Sequence, residues 1–309
     1  MIKGILAQSS LAQQLLSLFA LALIGSMLFS SIGLVLAMAF YDLGMEEILS
    51  SLSRSNLEHR DAFKLVQGFS TVGTFLFPAI AGALMLSERP KEFLGLKKFT
   101  QPIWLVIILL AISSYSMGAL SDLLYRFSAA VPMPEFLASW RDGLEKNQAF
   151  MLEQYQSILN MQSPLEFVVV LIIMALFPAV AEESLFRGVL QPLLGKHLNK
   201  HAAIWISALI FGLLHNQYFA FLSITILGAL MGYLREWTQS LWIPTILHFF
   251  NNATIVVMVY FFSYDYSAAL TEGQAVSSLE SMALIALLAL SMALLYNLGR
   301  RNLAKSESK

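Results

Sequence analysis

The sequence predicts an all-α fold, that of a polytopic membrane protein with about eight transmembrane helices. Of its 309 residues, 57% are hydrophobic and 13% are charged, and the mean hydropathy is +0.68. Soluble proteins carry about 25% charged residues, so roughly half of the usual charge is missing. Apolar stretches near the ~20 residues that a spanning helix needs recur along the chain. We therefore expect one membrane-embedded domain over residues 1–309.

Eight stretches of the chain meet this length rule or approach it. The stretch at 202–216 meets it least well, because it is short and ends in polar residues. In chain order, the predicted helices are 11–40, 66–86, 102–120, a helix that begins near Pro164, 202–216, 218–234, 241–262 and 281–298.

The longest connection, residues 121–163, is predicted to lie outside the membrane and to contain an amphipathic helix. Its apolar residues recur at helical spacing, and Pro134 suits the first turn of a helix. This helix either lies on the membrane surface or serves as a lid or substrate guide. The apolar stripe consists of Leu137, Trp140, Leu144, Met151, Tyr155 and Ile158.

Lysine and arginine positions predict that both termini are cytoplasmic, because cytoplasmic loops carry an excess of these residues. The short loops favour the plasma membrane of a prokaryote. With the N-terminus inside, the cytoplasmic segments hold Lys3, Arg89, Lys91, Lys97, Lys98, Lys196, Lys200, Arg235, Arg300, Arg301, Lys305 and Lys309. The opposite side holds Arg54, Arg60, Lys64, Arg126, Arg141 and Lys146.

Charge and cysteine content exclude several classes of function. The formal net charge is -1 and no long basic run occurs, which argues against nucleic acid as a partner. Cysteine is absent, so the chain has no disulfide, no thiolate metal site and no cysteine nucleophile.

The fourth predicted helix carries three charges within an apolar stretch: Glu182, Glu183 and Arg187. Ionisable groups at membrane depth mark functional sites when they have partners. Glu183 and Arg187 are four residues apart and can form an ion pair on one helix face, whereas Glu182 points about 100° away. An unpaired carboxylate in apolar surroundings suits a general base. Alternatively, the charges mark the cytoplasmic end of the helix.

Two further clusters also show helical spacing. Phe211 and His215 are four residues apart, as are His248 and Asn252. His215 lies near a helix end, so a purely structural role is the alternative to a catalytic one. His248 and Asn252 either form an interhelical hydrogen-bond network or donate to a developing oxyanion. Together, the three clusters, in a core region of about 160–260, can activate water and stabilise a tetrahedral intermediate.

The order of these clusters resembles the CAAX protease and bacteriocin-processing family, intramembrane proteases related to type II CAAX prenyl endopeptidases. The resemblance implies hydrolysis of a peptide bond in a membrane-associated or lipidated protein, within an intramembrane catalytic cavity. The matching patterns are E-E-x-x-x-R (Glu182, Glu183, Arg187), F-x-x-x-H (Phe211, His215) and H-x-x-x-N (His248, Asn252).

The resemblance also implies a role for each motif residue. Glu182 with His215 would activate a water molecule, and His248 with Asn252 would bind the oxyanion. This glutamate mechanism requires no cofactor; the alternative is a zinc-dependent mechanism in which two histidines and a carboxylate bind the metal. The supporting residues are Glu183, Arg187 and Phe211.

The sequence is compatible with two other functions and leaves the relative depth of His215 and Glu182 open. The chain could be a catalytically idle relative that acts as an immunity or scaffold protein, or a transporter, which the lack of an inverted repeat disfavours. His215 lies late in its helix, roughly 20 Å from the helix start, and so at a different depth from Glu182. Either the fourth helix continues past Arg187, or the fifth is displaced or tilted. The sequence does not predict the oligomeric state.

Overall fold

The computed structural model is helical throughout, apart from turns, in the ranges that it describes: 2–54, 59–97, 99–132, 134–265 and 278–307. Lys98 and Lys309, two of the lysines used to predict the orientation, lie outside these ranges. The helices are α1 (Leu11–Tyr41), α2 (Met45–Arg54), α3 (Arg60–Leu86), α4 (Pro90–Leu94), α5 (Ile103–Ala130), α6 (Ala138–Leu159), α7 (Pro164–Gly195), α8 (Lys200–Leu214), α9 (Phe221–Thr238), α10 (Trp242–Phe262) and α11 (Ser278–Glu307).

Polar residues start several helices at positions that the sequence makes recognisable. The Ser10 hydroxyl accepts a hydrogen bond from the Gln13 backbone before α1. Ser163, followed by Pro164, does the same for α7, and Asn199 caps α8. Each cap satisfies a backbone N–H group that the first helical turn leaves without an intrahelical partner.

The eight predicted segments are all helical, but six helices in the described ranges are long and apolar enough to cross a membrane. The chain is thus an integral, polytopic membrane protein with six candidate spans rather than eight. With 15 residues, α8 is about 22 Å long, less than the ~30 Å hydrocarbon core. Helix α9 carries Arg235 and Glu236 in its last turn, so it is more polar than the six candidate spans. The candidate spans are α1, α3, α5, α7, α10 and residues Ser278–Asn302 of α11.

Proline distorts two of the spans next to the polar residues that they carry. A wider π turn at Ile172–Leu176 precedes Pro178 in α7, and one at Val72–Leu76 precedes Pro78 in α3. Proline lacks the N–H that would bond to the fourth preceding carbonyl and clashes with that carbonyl, and a π turn accommodates this conflict. A further π turn, Phe186–Leu190, precedes Pro192, so α7 departs from regular geometry on both sides of its glutamates.

Helix α7 continues past Arg187 to Gly195, and this extension explains how Glu182 and His215 can lie at the same depth. Glu182 is therefore well inside α7, at a level that the end of α8 reaches. Helix α5 is also longer than predicted and takes up the first ten residues of the expected 121–163 loop. An ion pair between Asp122 and Arg126 (2.9 Å) supports its last turns.

The amphipathic helix predicted in this connection is α6, preceded by a 3₁₀ turn at Glu135–Leu137 that Pro134 begins. Its first half is mostly exposed, with Trp140 53% exposed, and its end is buried at Ile158. The side chain of Leu137 lies outside the described part of the chain. The apolar stripe thus makes closest contact with the protein at the C-terminal end of α6.

The two largest apolar cores in the described ranges together include all six candidate spans. One is built from α5, α9, α10 and α11, and contains Leu110, Leu234 and Leu247. The other is built from α1, α3, α7 and α8, and contains Phe186 and Leu193. Because α7 belongs to one group and α10 to the other, their contact joins the two groups, and this contact carries the polar cluster.

The predicted orientation can be tested with single cysteines, because the chain contains none. Ser139→Cys in α6 and Lys97→Cys in the 87–101 connection introduce thiols at exposed positions. If both termini are cytoplasmic, a membrane-impermeant maleimide added to intact cells will label Cys at 139 and not at 97. Both variants should be labelled after the membrane is permeabilised. The reverse labelling pattern would show that the orientation is inverted.

Candidate active site

Glu183 is the centre of a buried polar cluster between α7 and α10. Its side chain is 0% exposed. One oxygen, Oε1, accepts a hydrogen bond from Nη1 of Arg187 at 2.7 Å and lies 3.0 Å from Nδ1 of His248. Helical spacing in α7 positions Arg187, as the sequence predicted, but His248 comes from another helix. Glu183 therefore links the α7 ion pair to the histidine of α10.

Arg187 is held on three sides. Its second terminal nitrogen, Nη2, donates to the backbone carbonyl of Gly228 in α9 at 2.8 Å. The Phe211 ring lies 4.6 Å from the guanidinium carbon, within the range of a cation–π contact. A Cβ at Gly228 would lie 3.2 Å from Nη2, so glycine allows α9 to approach this closely. One turn later, Gln191 of α7 donates to the Gly232 carbonyl at 3.1 Å.

Both histidines donate through Nδ1. The Nδ1 atom of His215 lies 2.7 Å from the Phe211 carbonyl oxygen, and that of His248 lies 3.0 Å from the Glu183 carboxylate. Because a carbonyl and a carboxylate only accept, each Nδ1 carries a proton. In the neutral ring, Nε2 is then an acceptor. Both Nε2 atoms face the same group, the carboxylate of Glu182.

Glu182 lies between the two rings without a direct hydrogen bond to either. Its Oε2 atom is 3.9 Å from Nε2 of His215 and 4.0 Å from Nε2 of His248. In the described part of the chain, this buried oxygen has no hydrogen-bond partner. These distances exceed a hydrogen bond but match a contact through one water molecule. The His215 side chain is 27% exposed, which connects this point to the outside of the bundle.

Asn252 is close to the cluster along α10 but does not share its hydrogen bonds in the contacts that the structure describes. It follows His248 by one turn, and its Oδ1 accepts from Nδ2 of Asn251 at 3.3 Å. The Asn252 amide therefore retains N–H groups that can donate elsewhere.

The structure thus brings Glu182, His215 and His248 together beside Phe211, and it adds Gln191, which the sequence did not single out. Phe211 lies edge-on to both imidazole rings, 4.5 Å from His215 and 6.2 Å from His248 between ring centroids. Gln191 follows Arg187 by four residues, and the two acceptors, the carbonyls of Gly228 for Arg187 and Gly232 for Gln191, belong to a G-x-x-x-G pattern. The sequence therefore contained a signal for this contact. No sequence signal connected Glu183 to His248.

The side chains around Glu182 suit zinc by chemistry but not by spacing. Two Nε2 lone pairs and a carboxylate resemble a His₂Glu ligand set, and the Nδ1 hydrogen bonds are those that metal-binding histidines make. Ligands of a tetrahedral zinc ion stand ~3.4 Å apart, given bonds of ~2.0–2.1 Å, and the distances from Glu182 are longer. Among the described residues, no group of three or more His, Cys, Asp or Glu has the arrangement of a metal site.

A comparison with known protein families matches the segment that holds this site. Residues 164–254 match the family model described as Type II CAAX prenyl endopeptidase Rce1-like. Uncharacterized protein YpbD of Bacillus subtilis (strain 168) is 36% identical over 95 residues, which cover 29% of this chain and 46% of YpbD. The alignment thus spans about half the length of that relative. No solved structure matches the chain.

Replacing Glu183 should destabilise the protein more than replacing Glu182. Glu183→Gln leaves Arg187 charged and buried without its counter-ion, a loss of about 3–5 kcal/mol for buried pairs. We expect the apparent melting temperature in detergent to fall by roughly 5–10 °C, and Glu182→Gln to change it by much less. Thermal unfolding followed by size-exclusion chromatography measures both.

The exposed pair in α6 provides the control for this comparison. Arg141 and Glu145 have the same spacing of four residues and a contact of 2.8 Å, but both side chains are 49% exposed. Exposed pairs contribute little to stability, so Glu145→Gln should melt like the unmodified protein. Equal melting temperatures for Glu183→Gln and Glu145→Gln would contradict the central role of Glu183.

Proposed function

We propose that this protein is an intramembrane endopeptidase that hydrolyses a peptide bond through a water molecule activated by Glu182 and His215. The match of residues 164–254 to the Rce1-like type II CAAX prenyl endopeptidase model supports this proposal. The observation that carries this proposal is the position of Oε2 of Glu182. It is buried, lies 3.9 Å and 4.0 Å from two imidazole nitrogens, and has no hydrogen bond to any residue that the structure describes. A carboxylate in this position is suited to hold and deprotonate water.

In the proposed reaction, one water molecule binds between Oε2 of Glu182 and Nε2 of His215. Glu182 takes a proton from the water as its oxygen bonds to the carbonyl carbon of the substrate. The tetrahedral intermediate then breaks its C–N bond. The proton held by Glu182 passes to the departing nitrogen, so the products are a carboxylic acid and an amine.

His248 and Asn252 stabilise the negative oxygen of the intermediate. Because Nδ1 of His248 already donates to Glu183, the ring can donate through Nε2 only as an imidazolium. Glu183 orients the ring and stabilises its charged form, as the buried carboxylate does in a catalytic triad. The Asn252 amide supplies the second donor.

The substrate is a membrane-associated or lipidated peptide or protein. A lipid-embedded site receives its substrate from the bilayer or its surface, and a prenyl or acyl chain concentrates a peptide there. No step of the proposed reaction requires a metal ion or another cofactor. We also propose that the protein lies in the plasma membrane of a prokaryote with both termini cytoplasmic. Nucleic acid is not among the proposed partners.

Glu182→Gln should abolish cleavage while preserving the fold. We expect purified protein to cleave a fluorogenic farnesylated peptide in detergent or liposomes, and turnover to fall at least ~100-fold in the variant, because general base catalysis typically contributes that much. Glu166→Gln is the matched control: Glu166 lies in the same helix and pairs with Arg60 at 3.1 Å near the surface. The control should cleave at the normal rate.

The same assay separates this proposal from its rivals. Undiminished cleavage by Glu182→Gln would refute the mechanism, and a wild-type protein inactive on every lipidated peptide would favour an immunity or scaffold role. Addition of a zinc chelator should leave cleavage unchanged. Loss of activity with the chelator, restored by zinc, would replace the glutamate mechanism with the metal-dependent one.

Asn252→Ala should lower the turnover number with little change in KM. Loss of one oxyanion donor costs about 10²–10³-fold in kcat, because that hydrogen bond forms fully only in the transition state. Asn251→Ala, one residue earlier and on another helix face, should retain activity within roughly fivefold. Steady-state kinetics of both variants would show the difference, and equal loss in both would remove Asn252 from the proposed site.

A further inference from the structure

Arg235 is a buried cation that belongs to none of the salt bridges in the described ranges. The other buried charged residues that the structure describes are all paired: Lys64 with Asp61 at 3.0 Å, and Arg187 with Glu183 at 2.7 Å. Arg235 is 8% exposed, and its buried Nε atom has no hydrogen-bond partner in the same ranges. A buried charge without a partner is costly, so its balance calls for a group from outside the chain.

The segment 95–97, which follows α4, packs against the Arg235 side chain. Gly95 has a φ of +76°, and a Cβ there would collide with Nη2 of Arg235 and lie 2.8 Å from its Nε, so the contact requires glycine. The Leu241 N–H donates to the Gly95 carbonyl at 2.9 Å. The Ser240 hydroxyl donates to the Lys97 carbonyl at 3.0 Å. These two hydrogen bonds fix the segment, and with it one side of the guanidinium, to the start of α10.

This arginine lies at the level expected for lipid head groups. Arg235 is in the last turn of α9, and the segment that packs against it lies before α5 and is bonded to the residues before α10. Trp104 and Trp242 are near the first residues of these two spans, and both are exposed. Because tryptophan is enriched where a membrane meets water, this end of the bundle is at the layer that contains phospholipid phosphates.

The chemistry of the guanidinium favours a phosphate as its partner. Its N–H groups form a planar fork that fits two oxygens of one phosphate. Burial lowers the pKa of the Arg235 guanidinium, and the adjacent negative charge of Glu236 raises it, but arginine stays protonated in proteins. Lys97 is exposed on the segment that packs against Arg235, so it adds a second positive charge at the same end. Basic pockets between membrane helices bind phosphorylated head groups in this way.

We propose that Arg235 and the segment 95–97 bind a phosphate group at the membrane surface, carried by a phospholipid head group or by a soluble phosphate ester. The inference does not depend on peptide hydrolysis. Gly228, whose carbonyl accepts from Arg187, lies two turns before Arg235 in α9. A bound phosphate therefore stabilises the helix that holds the buried arginine of the candidate active site.

The alternative is a purely structural role, in which Arg235 stabilises the C-terminal end of α9. A cation in the last turn of a helix interacts favourably with the helix dipole and needs no ligand. The two roles differ when phosphate is absent. A structural arginine stabilises the protein under all conditions, whereas an unpaired buried charge destabilises it until a ligand neutralises the charge.

Thermal unfolding of delipidated protein in a neutral detergent and a phosphate-free buffer separates these roles. Arg235→Gln should melt at or above the wild-type temperature there, because it removes an unpaired buried charge. Saturating dioleoylphosphatidylglycerol should raise the melting temperature of the wild type by roughly 5 °C and leave that of Arg235→Gln unchanged. Arg300→Gln is the matched control: Arg300 is exposed and follows Gly299, which packs against Trp237 of α9. This control should respond to the lipid like the wild type.

Two further ligands, added to the wild type, identify the source of the phosphate without relying on any variant. Dioleoylglycerol has the same acyl chains but no phosphate, and glycerol 3-phosphate has the phosphate but no chains. Stabilisation by phosphatidylglycerol and not by glycerol 3-phosphate would assign the site to a lipid. Stabilisation by glycerol 3-phosphate would assign it to a soluble ester. Either result supports a phosphate site, provided that dioleoylglycerol has no effect.

Three results would overturn the inference. The first is a wild type that gains nothing from either phosphate compound, or as much from dioleoylglycerol. The second is an equal loss of the lipid response in Arg235→Gln and Arg300→Gln, which would indicate diffuse attraction between basic residues and anionic lipid. The third is an Arg235→Gln protein that melts lower than the wild type in phosphate-free detergent, or does not fold, which would assign Arg235 to the structural role.

Discussion

The hydrogen-bonded bridge from Arg187 through Glu183 to His248 is the interaction on which the rest of the site depends. An isolated charge at the centre of a spanning helix costs about 2.5–3.5 kcal/mol on insertion scales. Here the carboxylate is 0% exposed and the guanidinium 1% exposed, 2.7 Å apart, so each offsets the cost of burying the other. The same carboxylate oxygen orients a histidine 65 residues away in sequence. One ion pair thus makes burial of charge tolerable and joins two helices.

This bridge also separates the roles of two adjacent glutamates. Successive residues of a helix point about 100° apart, so only one of them can face Arg187. Glu183 is used in that contact, whereas Glu182 faces the Nε2 atoms of two histidines. Their Nδ1 atoms are already engaged by Glu183 and by the Phe211 carbonyl, so both rings are fixed in orientation. The geometry around Glu182 is therefore set by neighbours that do not themselves contact it.

Irregular backbone and small residues provide the space that this arrangement needs. The π turns next to Pro178 and Pro192 change the direction of side chains along α7 on both sides of Glu182 and Glu183. Gly228 lets α9 approach until its carbonyl accepts from Arg187. Since lipid provides little hydrophobic drive for helix association, close packing and interhelical hydrogen bonds of this kind stabilise membrane bundles.

By itself, the sequence determined the helical fold, the starts of most helices within three residues and the pairing of Glu183 with Arg187. These follow from apolar length and from the 3.6-residue helical period, which are local properties. Tertiary structure alone decided that Glu182 lies between His215 and His248 and that Glu183 binds His248. Such contacts join residues far apart in sequence, and they depend on how helices pack, which no local periodicity records.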